Sequence, residues 1–232
     1  MELIWEGMRD AARLLLHFDP AVMDAALRSL WISLLAVGLA ALFGLPIGIF
    51  FAQVSFPARR FAVLLFRAGM AFPTVFIGVV CYALFSRRGP LGPLELLYTP
   101  WVIVCGEFLL ALPLVVSITH GAVKALDSRV GETAWTLGAG VFRRCQSYIS
   151  EARVGVTLAV LTAFSRCVTE LGIAMMVGGN INQRTRTLAT ATALETGRGE
   201  FGRGMAMGLI LLAIAMGVTL VIVYLSREDR YE

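Results

Sequence analysis

The chain has 232 residues, of which 58% are hydrophobic and 16% are charged. These fractions are too apolar for an ordinary soluble domain, so a lipid bilayer is the expected solvent. The formal charge of +4 falls in clusters between long apolar runs and forms no continuous basic face with interleaved aromatics, which argues against nucleic-acid binding.

The first 20 residues mix apolar side chains with Glu6, Arg9, Asp10 and Arg13. This pattern predicts an amphipathic helix over residues 1–20 that lies at the membrane interface and contacts lipid. Five apolar runs follow, and each is long enough to cross a bilayer, which takes roughly 20 helical residues. The runs are Leu30–Val54, Phe61–Phe85, Trp101–Thr119, Val154–Val177 and Met205–Leu225. Because they are continuous and not alternating, they predict an all-α, polytopic membrane protein with a single transmembrane domain over residues 1–232.

Glycine and proline recur inside these runs. Gly44 and Gly48 are four residues apart in the first run, a spacing that lets two helix backbones approach closely. Gly69 and Pro73 interrupt the second run. These residues serve either general helix packing or a kinked helix that moves during gating.

Four charged residues lie inside the runs, namely Arg67, Glu107, Arg166 and Glu170. A charge in hydrocarbon costs roughly 3 kcal/mol on insertion scales, so these side chains should face protein or water. Arg166 and Glu170 are four residues apart and can meet on one helix face. They form either a structural ion pair or part of a conduction path and its gate.

Other polar residues predict no catalytic or cofactor site. The four cysteines form no C-x-x-C pair and the two histidines are far apart in sequence, so neither a metal site nor a disulfide is expected. Lys124 is the only lysine and follows Val123, so the chain lacks the glycine-rich loop and lysine that bind ATP phosphates.

Two segments between the runs are too long and too patterned for simple loops. Residues 124–153 contain the helix-start signal Asp127-Ser128. Residues 178–204 contain several arginines and a stretch rich in Thr and Ala, Thr185–Thr196, which is not apolar enough to span.

The first segment carries a family signature. The residues Glu132-Thr-Ala-Trp-Thr-Leu-Gly138 resemble the E-A-A-x-x-x-G motif of ABC importer permeases, although the I-x-L-P tail usual in that family is absent. In that family the motif forms a cytoplasmic helix-turn-helix that docks on the ATPase subunit. The resemblance implies that Glu132, Thr133, Ala134 and Gly138 couple the chain to an ATPase. Gly138 would permit a sharp turn, and Glu132 would lie near a helix N-terminus, where a carboxylate is favoured.

A second resemblance narrows the family. Residues 170–181, Glu-Leu-Gly-Ile-Ala-Met-Met-Val-Gly-Gly-Asn-Ile, are similar to the end of the penultimate span in molybdate and tungstate permeases. Residues 186–196 and the following Gly199-Glu-Phe201 resemble the tungstate branch. The resemblance implies a type I ABC importer permease fold and uptake of a small oxyanion, with tungstate favoured and molybdate, sulfate or another small anion as alternatives.

The resemblance also implies an assembly. Two copies of the chain would pair as a homodimer, a periplasmic or surface oxyanion-binding protein would deliver the cargo, and two cytoplasmic ATPase subunits would bind ATP and Mg. Residues 124–153 would be cytoplasmic and residues 178–204 periplasmic, with the N-terminus outside and the C-terminus inside the inner membrane. The expected numbers of Lys and Arg on the two sides are equal, so the positive-inside rule does not decide the orientation.

Candidate residues for cargo contact follow from this arrangement. The candidates for the translocation path or its gate are Arg166, Glu170, Gly172, Gly178 and Asn180. Arg184 and Arg186 are candidates for a positive outer vestibule that raises the local anion concentration, the alternative being solvated loop charges. Asn180, Asn182, Thr185 and Thr187 would add neutral hydrogen-bond donors.

Two other classes of membrane protein fit the sequence less well. An intramembrane enzyme needs a nucleophile–base pair or a metal constellation within the spans, and the charged residues there include neither histidine nor paired aspartates. A carrier driven by an ion gradient is disfavoured because the chain has no internal repeat.

Overall fold

A computed structural model describes residues 2–17 and 19–227, so Met1, Phe18 and the residues after 227 lie outside the described part. The described residues form ten α-helices, a 3₁₀ turn at Gly92–Leu94 and a π-helical turn at Ala174–Gly178, with no strand among them. The helices are α1 Glu2–Leu16, α2 Pro20–Gln53, α3 Arg59–Gly69, α4 Thr74–Phe85, α5 Pro100–Lys124, α6 Ser128–Thr136, α7 Val141–Glu151, α8 Arg153–Val168, α9 Leu188–Gly197 and α10 Phe201–Arg227.

Three helices among the described residues are long and apolar enough to cross a membrane: α2, α5 and α10. A fourth span results if α3 and α4 are counted together, although their axes are bent by 101°. The expected all-α membrane fold is therefore confirmed. The five predicted runs, however, correspond to only three or four such spans.

The second predicted span, Phe61–Phe85, is not one continuous helix. α3 ends at Gly69 and α4 begins at Thr74, directly after Pro73. Proline has no N–H to donate and disfavours helical geometry in the residue before it, so the helix cannot continue through this point. The segment is therefore bent, as the kinked alternative expects, and its movement during gating stays a prediction.

The fourth predicted span, Val154–Val177, is also broken. α8 stops at Val168, and its 16 residues rise only about 24 Å, less than the hydrocarbon thickness of about 30 Å. Helical structure resumes at Gly172. The Glu170 carboxylate accepts the backbone N–H of Ile173 at 3.2 Å and so caps the resumed helix, as polar side chains do at helix starts.

The centre of the fold is the contact between α2 and α5. A Cβ added at Gly48 would lie 2.9 Å from the carbonyl oxygen of Val116, and one at Gly44 would lie 2.9 Å from Val115 Cγ1. These distances confirm that the Gly44–Gly48 spacing allows two backbones to approach closely. Phe164 of α8 is buried against the same core.

The segments that connect the long helices lie at two ends of the molecule. At one end, here called the coupling end, α7 is tied to the last residue of α2 by a 3.0 Å hydrogen bond from the Tyr148 hydroxyl to Gln53 Oε1. At the other, the distal end, the N–H of Leu188 donates to Ser29 Oγ at 2.9 Å. Residues 124–153 and 178–204 therefore contact α2 towards its opposite ends, and their assignment to the cytoplasmic and periplasmic sides stays a prediction.

The N-terminal helix α1 packs against the beginning of α10. Gly7 lies close to Met205, and Gly202 lies close to Asp10, so the two helices run in opposite directions. Trp5, Met8 and Leu16 remain exposed. An amphipathic helix is thus present at the predicted place, and its position at the membrane interface stays a prediction.

Candidate coupling surface and translocation residues

The coupling segment begins as the sequence predicts. The Asp127 carboxylate accepts the N–H of Arg129 at 2.9 Å and caps α6. The guanidinium of Arg129 also contacts this carboxylate at 2.6 Å and holds the pKa of Asp127 below its ordinary value. Glu132 lies in the second turn of α6, so the expectation that its charge stabilises the helix N-terminus is wrong, because that effect is confined to the first turn.

Gly138 forms the turn between α6 and α7. Its φ angle is +71°, in the left-handed region that residues with a Cβ rarely occupy. Its N–H donates to the carbonyl of Trp135 at 2.9 Å. No atom lies within 4 Å of a Cβ built at this position, so glycine is required here by backbone conformation alone.

The tip of this helix-turn-helix is apolar and exposed. Four large side chains on the two sides of the turn have 71% to 82% of their surface accessible. They are Trp135, Leu137, Val141 and Phe142. Beside them, Thr133 and Ala134 line a groove of about 440 Å³ between α6 and α7. Such a contiguous exposed patch is typical of a surface that contacts another protein. Sequence reasoning missed these four residues, although apolar side chains next to a turn in a polar segment were a usable signal.

The tip is connected firmly to the membrane helices. Tyr148 of α7 is buried in a cluster with Ile49 of α2 and Val123 of α5. The Tyr148 hydroxyl also lies where a Cβ on Gly131 of α6 would stand. These contacts join the helix-turn-helix to the ends of α2 and α5.

Three of the predicted path residues lie together at the break after α8. Arg166 Nη1 is 3.7 Å from Glu170 Oε2, so the predicted pairing of these two residues is confirmed. A Cβ on Gly172 would lie 3.2 Å from Glu170 Oε1 and 3.0 Å from Thr74 Oγ1, at the start of α4. The capping role of Glu170 was missed because the sequence analysis continued the helix through it.

The charges inside the predicted spans fall into two groups. Glu107 and Glu170 are only 2% and 4% exposed and so face protein, as expected. Glu107 Oε2 has no hydrogen-bond partner in the described part of the chain, and the carboxyl interacts with Ser33 and Glu170. Arg67 and Arg166 are exposed.

The remaining candidates lie at the distal end. Asn180 Oδ1 accepts Arg186 Nε at 3.2 Å, and the Gly178 carbonyl accepts the Thr185 hydroxyl at 2.6 Å. Arg184 is exposed. Gly178 lies at the end of the π-helical turn, six residues after Gly172. The structure therefore brings the predicted path residues together in two groups.

Two of the expected neutral donors are not available to an anion. Thr185 and Thr187 are buried, and their hydroxyls bond within the segment. The expectation that they face the vestibule is wrong, because the loop uses them to satisfy its own buried backbone groups. Among the described residues, no group of His, Cys, Asp or Glu could hold a metal ion.

Comparison with known proteins identifies the family. No family model matches the chain. The tungstate uptake system permease protein TupB of Peptoclostridium acidaminophilum is 37% identical over 188 residues, which cover 81% of this chain and 82% of that protein. TupB of Campylobacter jejuni is 35% identical over 81% of this chain and 79% of its own length.

A more distant relative has a different substrate in its name. The molybdenum transport system permease protein ModB of Escherichia coli K12 is 29% identical over 179 residues, or 71% of this chain and 77% of that protein. These relatives are permease subunits and not enzymes, in agreement with the apolar helices and the absence of an ATP-binding loop in the sequence. The chain is a multi-pass membrane protein that belongs to the family of ABC importer permeases for oxyanions, which includes TupB and ModB.

Proposed function

We propose that the chain is the permease of an ATP-driven tungstate importer and that the apolar tip of α6 and α7 docks on its ATPase subunit. The observation that carries the proposal is that tip, with four large apolar side chains exposed on a rigidly anchored helix-turn-helix. Tungstate is favoured because the relatives that are 37% and 35% identical over 81% of the chain are named tungstate permeases. Molybdate and sulfate are the alternatives.

The complete importer contains two copies of the chain, two ATPase subunits and an oxyanion-binding protein. The ATPase subunits bind ATP and Mg, and this chain binds no cofactor. The coupling end faces the cytoplasm with the C-terminus, and the distal end faces the periplasm with the N-terminus. The binding protein docks near Arg184 and Arg186, whose positive charges attract the anion.

Transport follows from the connection between tip and membrane helices. When the ATPase subunits close, they displace the tip, and the contacts of Tyr148 with Gln53, Ile49 and Val123 move the ends of α2 and α5. The membrane part thereby shifts between inward-open and outward-open states. The anion crosses between the two copies, past Asn180 and Gly178 and then the group of Gly172, Glu170 and Arg166.

Selection between anions belongs mainly to the binding protein. Tungstate and molybdate have nearly the same size and charge, and a path that must release its cargo cannot hold it tightly. The substrate is tested by uptake of labelled tungstate in cells that carry the chain with its ATPase and binding protein but lack other oxyanion importers. We expect unlabelled tungstate to compete far better than sulfate. Equal competition by sulfate would refute the substrate assignment.

Docking is tested separately with charged substitutions in the tip. Leu137→Asp and Phe142→Asp place a carboxylate where an apolar contact is proposed, so the ATPase should no longer co-purify with the permease. Leu94→Asp, at an exposed apolar residue of the distal end, is the control and should retain the ATPase. Co-purification of the ATPase with both tip variants would show that it docks elsewhere.

A further inference from the structure

A basic cavity opens at the coupling end, between α3 and the last turns of α5. It has a volume of about 760 Å³. Five of its lining residues carry basic side chains, and no carboxylate lines it. These five are Arg59, Arg60, Arg67, His120 and Lys124.

The helices themselves gather these charges. Arg60, Leu64 and Arg67 recur at helical spacing and so share one face of α3. His120 and Lys124 are four residues apart on α5, which places them on one face of that helix as well. The bend between α3 and α4 directs α3 along α5. At this bend, a Cβ added at Gly69 would lie 3.1 Å from Pro113 Cβ of α5.

Most of the positive charge in this cavity is not neutralised by the protein. Within residues 2–17 and 19–227, Arg60, Arg67 and Lys124 form no ion pair. Arg59 donates to the carbonyl of Ala52 at 3.0 Å, which orients the guanidinium without cancelling its charge. Like charges gathered around one cavity repel one another and attract an anion.

His120 provides a second, independent observation. Its side chain is 4% exposed, it lines the cavity, and its Nδ1 has no hydrogen-bond partner in the described part of the chain. Buried polar atoms in native proteins nearly always have a partner. The charges of Arg67, Arg59 and Lys124 all act on this imidazole, so a ligand that contacts it would also meet these cations.

We propose that this cavity binds a tetrahedral oxyanion group. Arginine side chains match the paired oxygens of such a group and remain charged at every physiological pH, and His120 lines the same cavity with a ring nitrogen that has no partner among the described residues. Two sources have this chemistry, the transported anion on its way out and the phosphate of an anionic lipid. If the source is the transported anion, the cavity is the last site that the anion occupies before its release. That assignment rests on the proposed function.

The site is tested on the purified chain in phosphatidylcholine nanodiscs, without ATPase or binding protein, so that binding is measured and not transport. The probe is labelled tungstate. We expect the double variant Arg60→Gln/Arg67→Gln to retain at least tenfold less label than the wild type. Arg143→Gln, at an exposed arginine of α7 outside the cavity, is the matched control and should bind as the wild type does.

Nanodiscs with added phosphatidylglycerol distinguish the two sources. If lipid phosphate occupies the cavity, native mass spectrometry will show phosphatidylglycerol bound to the wild type and to Arg143→Gln but lost from the double variant, and tungstate will compete weakly. If the cargo occupies it, tungstate retention will be insensitive to phosphatidylglycerol. Equal binding of both probes to wild type and double variant would overturn the proposal.

The site and the proposed function fail in different ways. One outcome is that tungstate binding depends on Arg60 and Arg67 while sulfate competes equally in uptake. This outcome would support the anion site and refute the assignment of tungstate as the transported substrate. Selective uptake by the assembled importer, combined with binding that ignores both arginines, would refute the site alone. The variants should elute as single species and unfold at the wild-type temperature, because the side chains of Arg60 and Arg67 are exposed.

Discussion

Replacement of Gly138 tests whether the turn between α6 and α7 transmits the ATPase motion. The residue has a φ of +71°, a conformation that costs a residue with a Cβ roughly 1–2 kcal/mol. Nothing lies within 4 Å of the added Cβ, so this cost is the whole local effect. A cost of that size raises the ratio of distorted to native turns about 5- to 30-fold.

The expected order of uptake is wild type, then Gly138→Asn, Gly138→Ala and Gly138→Val. Asparagine tolerates the left-handed region best among residues with a Cβ, and a β-branched side chain tolerates it least. The assay is labelled tungstate uptake, with membrane levels of each variant measured in parallel. Uptake should fall while insertion stays normal, because α6 and α7 are not among the helices long and apolar enough to cross a membrane.

Gly140 provides a matched control two residues away. It is equally unhindered, but its φ of −63° is ordinary and it caps α7. Gly140→Ser should therefore be close to neutral, since serine is a favoured capping residue. Normal uptake in Gly138→Val would show that the turn does not carry the coupling. If Gly138→Asn were as damaging as Gly138→Val, crowding by the docked ATPase and not backbone strain would be the cause.

Substitutions at five positions test the packing, the capped break and the distal arginines. Gly48→Ala should lower the thermal unfolding midpoint in detergent, since overpacking against α5 costs about 1–3 kcal/mol, whereas Gly38→Ala, with open space around its Cβ, should be neutral or mildly stabilising. Glu170→Gln should be milder than Glu170→Ala in uptake and stability, because glutamine still accepts the N–H of Ile173 and loses only the 3.7 Å ion pair with Arg166. In competition assays Arg184→Ala and Arg186→Ala should both weaken tungstate uptake without changing the preferred anion, with the larger effect at Arg186, which holds Asn180.

Hydrophobicity, helix caps and glycine spacing were enough to predict much of this fold. The long runs around α2, α5 and α10 are apolar whatever their neighbours, and the cap at Asp127 and the turn at Gly138 depend on local chemistry alone. The approach of α2 to α5 at Gly48 also follows from local spacing. These features are predictable because each depends on residues within a few positions in the sequence.

The breaks in two predicted spans could not be obtained in the same way. A run such as Val154–Val177 remains apolar on both sides of Glu170, so hydropathy alone predicts one helix. The resumed helix packs at Gly172 against Thr74, and this tertiary contact joins residues that are distant in sequence. The basic cavity also depends on residues that are distant in sequence. Its basic lining residues come from α3 and α5, and the bend between α3 and α4 brings them together.

The two breaks lie against each other, and this contact bears on where an anion can cross. Gly172 packs against Thr74, the first residue of α4, and Gly78 packs against Met176 in the π-helical turn. Backbone that is not helical is tolerated at membrane depth only where protein buries it or water reaches it. A membrane helix broken once is a local irregularity, whereas here two breaks meet and bring the residues that interrupt both helices into one place. That place also holds the buried carboxyl of Glu170 and lies beside Arg166. A charged cargo needs polar groups in the hydrocarbon layer, and we expect this contact to supply them.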